Sequence, residues 1–426
     1  PLHARASQRE DSLPRAPRAL PVAAIGNAPA AGSMPPTRLD LSTAWAVPWE
    51  GAGSNAAARA TSDVGEWRVK STGDSAVSAM EVTMAKLFRL TGLAVPQTEL
   101  ADAIACLPGD AWTIASRLEP RFQDLGAFLA SAQAEQLIAG DDGARRQAYL
   151  QLRTLHTVAV TGCEGVLERA GVEEFWQLRT PAQVQEHAMF DRQRFDTLEA
   201  MNRMLPPALR ADQVRHFVVS RWLGNWDHLN YRMENFGYTE RDGQPVGMTV
   251  DMGACGPLGF RNLRSGVMMP KHASADVALV QRPASLFPIP DAYSANAADF
   301  DAMAADPGLL QDTLRWPYGF QSDSVAAMLR PPVAPEPETA DALAEMGYRL
   351  ALLPAPAIAA LVSRNWLTPA DARPGQWPTA ADLAGLLCGR RDHLLRRYDP
   401  VQLRDWISAD ADRADRVRQQ VRDALA

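Results

Sequence analysis

Apolar and polar residues alternate with two different periods along the chain, and the change of period divides it into two parts. Between residues 43 and 120 the alternation is mainly that of half-buried strands, with a glycine-containing turn at 51–55. The strand-like segments are Trp45 to Trp49, Trp67 to Lys70 and Trp112 to Leu118. Ser75 to Leu90 has helical spacing instead, and Gly92 favours a helix end just beyond it. The pattern predicts an antiparallel meander with one helix.

After residue 120 the helical period dominates, with one interruption. Asp242-Gly243 is a strong turn signal between strand-like segments, so we expect a hairpin over 235–251. Residues 254–300 are rich in Gly, Pro and Ser and are predicted to be irregular, whereas prolines divide the last hundred residues into several helices. The predicted class is α+β: a small antiparallel β-rich lobe over 43–120 and a large mainly helical lobe over 121–426. These form either one two-lobed domain or two packed domains.

The first residues have a different composition from the rest. Residues 1–40 carry seven prolines and no sustained periodicity, and they lack the continuous apolar core of a secretory signal. Such a segment buries too little apolar surface to offset the entropy of ordering, so we predict a flexible leader over 1–42. Because the chain begins with Pro1 rather than Met, we also expect a longer precursor or a trimmed chain.

Bulk properties exclude several classes of protein. A net charge of −7 and a pI near 5.6 argue against a general nucleic-acid binder. The four cysteines are far apart and form no zinc-binding pattern, which indicates a reducing compartment without structural zinc. No apolar run approaches the roughly 18 residues that a membrane span needs, so we expect a soluble protein.

Lysine is scarce. The chain has three lysines, at positions 70, 86 and 271, against 40 arginines. One explanation is a GC-rich bacterial genome that favours arginine codons. The other is selection against ubiquitin-acceptor lysines in a protein made in the bacterial cytoplasm and exported into a host cell. The flexible leader would suit such an effector.

The hairpin carries the first candidate chemistry. Asn235 lies seven residues before the Asp242-Gly243 turn and Asp251 lies eight after it, so we expect the two side chains to meet on neighbouring strands. An amide oxygen and a carboxylate are suitable Mg²⁺ ligands, since this ion usually takes one or two protein ligands beside phosphates. The alternative is an ordinary surface hairpin with polar ends.

Asp227 is the candidate catalytic carboxylate. A helix with apolar residues at helical spacing stops at Gly224, which leaves Asn225 to Asp227 in a loop before the hairpin. A carboxylate there could align a substrate hydroxyl or accept its proton. The alternative is an aspartate in a helix-ending turn. His228 is expected to be structural.

Lys70 and Glu81 form a second predicted pair. Lys70 ends the Trp67 to Lys70 strand, and Glu81 falls within the apolar stripe of the following helix, between Val77 and Met84. A carboxylate on a buried face is costly unless it is paired, and Lys70 is the natural partner. The alternative is a Glu81 side chain that reaches water at the edge of the stripe.

The turn before Lys70 supplies candidate phosphate contacts. Glycines let backbone amides approach phosphate oxygens, and nearby polar side chains could add donors. The residues concerned are Gly53, Ser54 and Asn55. Taken alone, such a turn is usually only a turn, and no Walker A lysine follows it.

Taken together, these motifs resemble the HipA-type and phosphatidylinositol-kinase-like branch of the protein-kinase-like superfamily, over roughly residues 45–260. Helices between about 130 and 205 have no counterpart in that resemblance. It implies a bilobal protein-kinase-like fold that binds ATP and Mg²⁺. The implied ATP contacts are Gly53, Ser54, Asn55 and Lys70 at the phosphates and Ser116, Leu118 and Glu119 beside adenine. The implied catalytic residues are Asp227, Lys70 and Glu81, and the implied metal ligands are Asn235 and Asp251.

The sequence departs from the family pattern at three places. The asparagine expected five residues after the aspartate is Arg232, with Asn230 and Asn235 on either side, so Asn230 is an alternative metal ligand. No His-Arg-Asp motif is present, and Met252 replaces the usual aromatic of Asp-Phe-Gly.

We therefore predict a bacterial Ser/Thr protein kinase, dependent on ATP and Mg²⁺ and acting as an effector on a protein substrate. AMP transfer to protein hydroxyls, or phosphorylation of a lipid or small molecule, is the alternative on the same fold. A pseudokinase scaffold without catalysis is the alternative of a different class. We expect neither a nucleic-acid partner nor a membrane span, and the oligomeric state is not predicted.

Overall fold

Six strands and one long helix form the first part of the fold in the computed structural model. The strands are β1 (Arg38–Leu39), β2 (Trp45–Pro48), β3 (Ala57–Ser62), β4 (Gly65–Lys70), β5 (Thr98–Ala101) and β6 (Thr113–Arg117), and helix α1 (Ser75–Leu90) joins β4 to β5. They form one sheet in the order β1-β5-β6-β4-β3-β2, parallel at β1–β5 and antiparallel elsewhere. The structure describes residues 38–49, 56–102, 104, 106–107, 112–172, 178–223, 225, 228, 234–253, 255, 258–261, 268–270, 337–367, 379–395 and 400–425.

The remaining described chain is mainly helical. Its helices are α2 (Leu125–Ala130), α3 (Ala132–Ala139), α4 (Gly143–Ala170), α5 (Pro181–Arg203), α6 (Pro207–Leu223), α7 (Pro337–Ala351), α8 (Ala355–Asn365), α9 (Ala380–Leu395), α10 (Pro400–Ala409) and α11 (Ala411–Leu425). A three-stranded sheet, in the order β7-β8-β9, comprises β7 (Gln123–Asp124), β8 (Phe236–Arg241) and β9 (Gln244–Thr249). The predicted α+β class is confirmed. The lobe boundaries at residues 42 and 120 stay predictions.

Helix α1 begins and ends where the sequence predicts. The Asp74 side chain accepts hydrogen bonds from the backbone amides of Ala76 and Val77, which satisfies two of the amides that a helix start leaves unpaired. Gly92, just after the C-cap, has a φ of 74°, a left-handed conformation that glycine adopts without strain. Nearly all of α1 is buried, so its position is set from several sides.

Two segments are more ordered than the sequence predicts. Arg38 and Leu39 lie within the predicted leader, yet they pair with β5, and Leu41 just beyond them is buried. Backbone pairing at a sheet edge and one apolar anchor order this segment, whatever its proline content. In the region predicted to be irregular, β10 (Leu258–Arg261) pairs with β11 (Met268–Pro270).

The main core joins α1 to the helical part. Buried side chains of α1, α6, β8 and the C-terminal helices α7 to α9 form one apolar cluster, which fixes α1 against the hairpin. Among the described residues, no single helix is long and apolar enough to cross a membrane, whereas Ala340–Ala351 and Ala355–Asn365, bent by 75°, meet the length and composition criteria together.

Candidate active site

Strand β4 presents Lys70 on the face of the sheet that α1 covers. Trp67 and Val69 pack into an apolar cluster on one face, so the alternation of the strand directs Lys70 to the other. Its side chain is only 7% exposed. A buried ammonium needs acceptors close by, because burial alone disfavours the charge.

Glu81 supplies the first acceptor. Its Oε1 lies 2.8 Å from Lys70 Nζ, and its side chain is 6% exposed. The pairing that the helical stripe predicts is therefore present, and the alternative in which Glu81 reaches water is wrong. Glu81 lies near the middle of α1, so the position of this helix sets the contact.

Asp251 supplies the second acceptor from a distant part of the chain. Lys70 Nζ lies 3.2 Å from Asp251 Oδ1 and 3.3 Å from Oδ2. Asp251 comes directly after β9 and Val250, and its φ of 57° is left-handed, a conformation that is strained for a residue other than glycine. Unlike Glu81, its side chain is 30% exposed. We call Lys70, Glu81 and Asp251 the Lys70 cluster.

Gly253 lies against both carboxylates of the Lys70 cluster. Its backbone N–H donates to Asp251 Oδ1 at 3.0 Å. A Cβ at this position would lie 2.9 Å from Glu81 Oε2 and 3.0 Å from Asp251 Oδ1, so at least one carboxylate would have to shift. The glycine of the Asp-Met-Gly motif therefore leaves room for both carboxylates beside Lys70.

Burial and charge act in opposite directions on the three groups. Burial raises the pKa of Glu81 to about 7, since the Lys70 charge offsets only part of the desolvation. Burial lowers the pKa of Lys70, but the charges of Asp251 and Glu81 raise it more, so the amine stays protonated. Burial also raises the pKa of Asp251, yet Lys70 and the Gly253 N–H hold it below its ordinary value. Asp251 is therefore the carboxylate that stays ionised.

Arg68 is a fourth charged residue near the site, and sequence reasoning missed it. It lies two residues before Lys70 and hence on the same face of β4, with its guanidinium 5.5 Å from the Trp49 ring centroid. Its charge helps to lower the pKa values of Asp251 and Glu81. The period of the strand was the available signal.

The hairpin register corrects the expected pairing of Asn235 with Asp251. Arg241 pairs with Gln244 across the two-residue turn, which places Phe236 opposite Thr249. The Val250 N–H donates to the Asn235 carbonyl at 2.9 Å, so Asn235 faces Val250 and Asp251 lies one residue beyond. The two candidate ligands lie at the same end of the hairpin but are not direct cross-strand partners. Their role as metal ligands stays a prediction.

The predicted adenine contacts are placed as follows. Ser116 Oγ lies 3.3 Å from Thr98 Oγ1, and the Leu118 N–H donates to the Glu66 carbonyl at 2.9 Å. Leu118 and Glu119 line a cavity of about 760 Å³ whose lining does not include Lys70, Glu81 or Asp251. Ser116 lies opposite Arg68 in the pairing of β6 with β4, and Leu118 and Glu119 follow the end of β6. Their role beside adenine stays a prediction.

Five of the predicted site residues lie outside the described residues: Gly53, Ser54, Asn55, Asp227 and Asn230. Described neighbours of Asp227 contact the hairpin region. Asn225 Nδ2 lies 3.9 Å from Met252 Sδ, and the His228 ring packs against that of Phe236, with 5.6 Å between centroids. Burial lowers the pKa of His228 to about 3, as expected of a structural, neutral imidazole.

A metal ion would find few protein ligands here. Within the described part of the chain, no three His, Cys, Asp or Glu side chains are grouped to hold one. Mg²⁺ beside a phosphate chain needs only one or two protein oxygens. The ionised, partly exposed Asp251 suits that requirement, with an asparagine oxygen as the second candidate.

Comparisons with known proteins add little to these contacts. No protein-family model and no curated protein matches the chain significantly. Among solved structures, the proinflammatory kinase CtkA of Helicobacter pylori matches 88% of this chain and 100% of its own, at 12% sequence identity and a TM-score of 0.39. A likeness this distant does not establish a shared function.

Proposed function

We propose that the protein is an ATP- and Mg²⁺-dependent phosphotransferase, that is, a kinase. One observation carries the proposal: a strand lysine binds a helix glutamate at 2.8 Å and, at 3.2 Å, an aspartate 181 residues further along the chain. In protein kinases a strand lysine paired with a helix glutamate contacts the phosphates of ATP, and the aspartate of an Asp-x-Gly motif binds Mg²⁺. The same residue types converge here, in the same order along the chain.

The electrostatics of the Lys70 cluster suit a phosphate chain with its metal. Two carboxylates face a single ammonium, and the more exposed of them, Asp251, stays ionised. Asp251 therefore has an oxygen available to a divalent cation while Lys70 stays charged. Bound Mg²⁺ would neutralise the charge that develops on the transferred phosphoryl group.

Each residue of the predicted site then has a defined role. Lys70 holds phosphate oxygens, and Glu81 keeps the amine in place. Asp251 and Asn235, or Asn230 as the alternative, hold the metal. Asp227 orients the acceptor hydroxyl and accepts its proton. Gly53, Ser54 and Asn55 offer donors to the phosphates.

Within this class we propose a serine or threonine hydroxyl of a protein as the acceptor, and a host-cell protein as the target of an exported enzyme. The support is compositional. Only three of 43 basic residues are lysines, as expected if ubiquitin acceptors are selected against. A survey of modified proteins in host-cell lysate tests both points together.

The experiment that tests phosphotransfer uses ATP labelled at one of two positions. The protein is incubated with lysate, Mg²⁺ and either γ- or α-labelled ATP, beside the variants Lys70→Met and Asp251→Asn. Label transferred from the γ position only, and lost in both variants, supports a kinase. Label transferred from the α position would show AMP transfer instead.

A matched control separates the site from its surroundings. Lys86 lies on α1, as Glu81 does, and pairs with Glu99 at 2.7 Å. Lys86→Met therefore removes a lysine ion pair outside the Lys70 cluster. This variant should retain transfer. If wild type transfers no label from either position, the enzyme proposal fails and the pseudokinase scaffold takes its place.

A further inference from the structure

Buried charged side chains connect the C-terminal end of α1 to helix α7. Arg349, which is 4% exposed, donates from Nη1 to the carbonyl of Thr91, the C-cap of α1, at 2.8 Å. Its Nε donates to Glu345 Oε1 at 2.7 Å, one turn earlier on α7. The end of the helix that carries Glu81 is therefore tied to α7 by a charged donor.

The same chain of contacts continues to the hairpin that carries Asp251. Glu345 Oε2 accepts from Arg215 Nε at 2.8 Å, and Arg215 Nη1 donates to Asp212 Oδ1 at 2.6 Å on α6. Asp212 Oδ2 accepts from the backbone N–H of Gly247, in β9, at 3.1 Å. We call Asp212, Arg215, Glu345 and Arg349 the Arg349 network. It links α1 to β9 without interruption.

The last helix of the chain joins this network. Arg349 Nη2 donates to Gln420 Oε1, on α11, at 2.7 Å. Gly92 lies between them: a Cβ there would be 2.9 Å from Arg349 Nη1 and 3.1 Å from Gln420 Cβ. This close contact brings α11 against the end of α1.

The Arg349 network is balanced and mostly buried. Two carboxylates match two guanidiniums, and Glu345 lies between the two arginines. Removing one member of such a set leaves an uncompensated buried charge, so each member is held in place by the others. The network is therefore a stiff connection between two elements that must come together to form the Lys70 cluster.

We propose that the Arg349 network is a positioning device, which holds α1 and β9 at the separation where Glu81 and Asp251 both reach Lys70, and which makes this separation depend on the docking of α11. Its members touch no reacting group. The inference rests on the proposed function, because it assigns the network a role in that same site. Along α1, the ten residues from Glu81 to Thr91 span about 15 Å, so movement at one end of the helix is transmitted to the other.

The test measures how readily Lys70 is reached by an amine-reactive reagent. The three lysines can be distinguished by peptide mass spectrometry, and Lys70 is nearly enclosed by the two carboxylates and α1. In Arg349→Met, α1 loses its anchor and Lys70 is exposed more often. We expect labelling of Lys70 to rise about tenfold, as a local opening equilibrium shifts.

Arg413→Met is the matched control. Arg413 lies on α11 and pairs with Asp341 on α7 at 2.7 Å, so this change removes an ion pair between the same two helices without touching α1. It should leave Lys70 labelling near the wild-type rate. Arg349→Lys, which keeps the charge but not the fork of donors, should fall between wild type and Arg349→Met. If Arg349→Met does not fold, Gln420→Ala removes a single contact from the network and should raise labelling in the same direction by a smaller factor.

The outcomes separate this inference from the proposed function. Equal labelling of Lys70 in the Arg349, Gln420 and Arg413 variants overturns the positioning role, whatever the enzyme does. In the same samples, Mg²⁺-dependent ATP binding is measured for wild type. If Lys70 labelling rises selectively in the network variants but wild type does not bind ATP, the positioning role of the Arg349 network is supported and the proposed kinase function is contradicted. With both present, turnover in Arg349→Met should fall more than the affinity for ATP.

Discussion

The Lys70 cluster and the Arg349 network are two groups of buried charges built for different ends. In the network, two carboxylates match two guanidiniums, and each arginine is held by more than one acceptor. In the cluster, two carboxylates share one ammonium, and one of them has a left-handed backbone and a side chain that is 30% exposed. A balanced, closed set of charges is strongly destabilised by the loss of one member. A set with an ionised, partly exposed carboxylate is suited to a cationic ligand.

The largest expected effect breaks the network. Glu345→Ala leaves Arg215 and Arg349 buried without their shared acceptor, so we expect a loss of about 3–5 kcal/mol in the free energy of unfolding. Urea unfolding measures it. Asp341→Ala, on the same helix but pairing with the partly exposed Arg413, is the control and should cost about 1 kcal/mol or less. Equal losses in the two variants would contradict the comparison.

Lys70→Met should have the opposite profile. Methionine has a similar volume, and Glu81, with a pKa already near 7, can take up a proton, so the free energy of unfolding should fall less than in Glu345→Ala. Phosphotransfer should fall by a factor on the order of a hundred to a thousand, because the phosphates lose their buried cation. Rates of γ-label transfer and thermal unfolding of the same sample check both halves. If Lys70→Met were strongly destabilised but its folded fraction still transferred the γ-label at the wild-type rate, Lys70 would be a structural residue and not a phosphate-binding one.

Gly253→Ala tests the geometry of the cluster without changing its charge. The new Cβ would lie 2.9 Å from Glu81 Oε2 and 3.0 Å from Asp251 Oδ1, so the carboxylates would have to shift relative to Lys70, and we expect turnover to fall about ten- to a hundredfold. Gly385→Ala on α9 is the control, since a Cβ there meets nothing within 4 Å. That variant should keep full activity and be slightly more stable, because alanine favours a helix. Steady-state kinetics on the two variants decide the point.

His216 gives the smallest effect and concerns the surroundings of the network. Burial, then the charges of His228, Arg215 and Arg349, lower its pKa well below 6.5 in the native state. The unfolded chain therefore takes up a proton below pH 6.5 that the native protein does not. The free energy of unfolding therefore decreases as the pH is lowered. The loss of stability should be visible between pH 6.5 and pH 5. His216→Gln should lack the contribution of this proton. Urea unfolding at the two pH values should therefore show a smaller decrease in the free energy of unfolding than in wild type. An equal loss would mean that His216 is protonated in the native state.

The sequence predicted what local patterns determine. The bounds of α1 follow from its helical spacing and from Gly92, and the Lys70–Glu81 pair follows from a strand end and a helical stripe only 11 residues apart. Local patterns also predicted the hairpin and its two-residue turn at Asp242-Gly243. That turn pairs residues equally far from it, so Asn235 lies opposite Val250, and the expected pairing of Asn235 with Asp251 was one residue out of register.

The contacts between distant segments were not predictable. Glu345 lies 130 residues from Arg215, and Arg349 lies 258 residues from Thr91, so no period or motif relates them. An arginine on an amphipathic helix is ordinarily solvated, and only the packing of α7 against α1 and α6 shows that this one is buried. The edge pairing of Arg38 and Leu39 escaped prediction for the same reason, since its partner strand lies some sixty residues away.

Calorimetric titration with ATP tests the central claim, that the Lys70 cluster binds a nucleotide through a divalent cation. Wild type is titrated with ATP in Mg²⁺ and again in EDTA, beside Asp251→Asn. The account predicts saturable binding that is much tighter with Mg²⁺, and loss of this difference in Asp251→Asn. Absence of binding by wild type, or affinities that are unaffected by both the metal and the substitution, would contradict it.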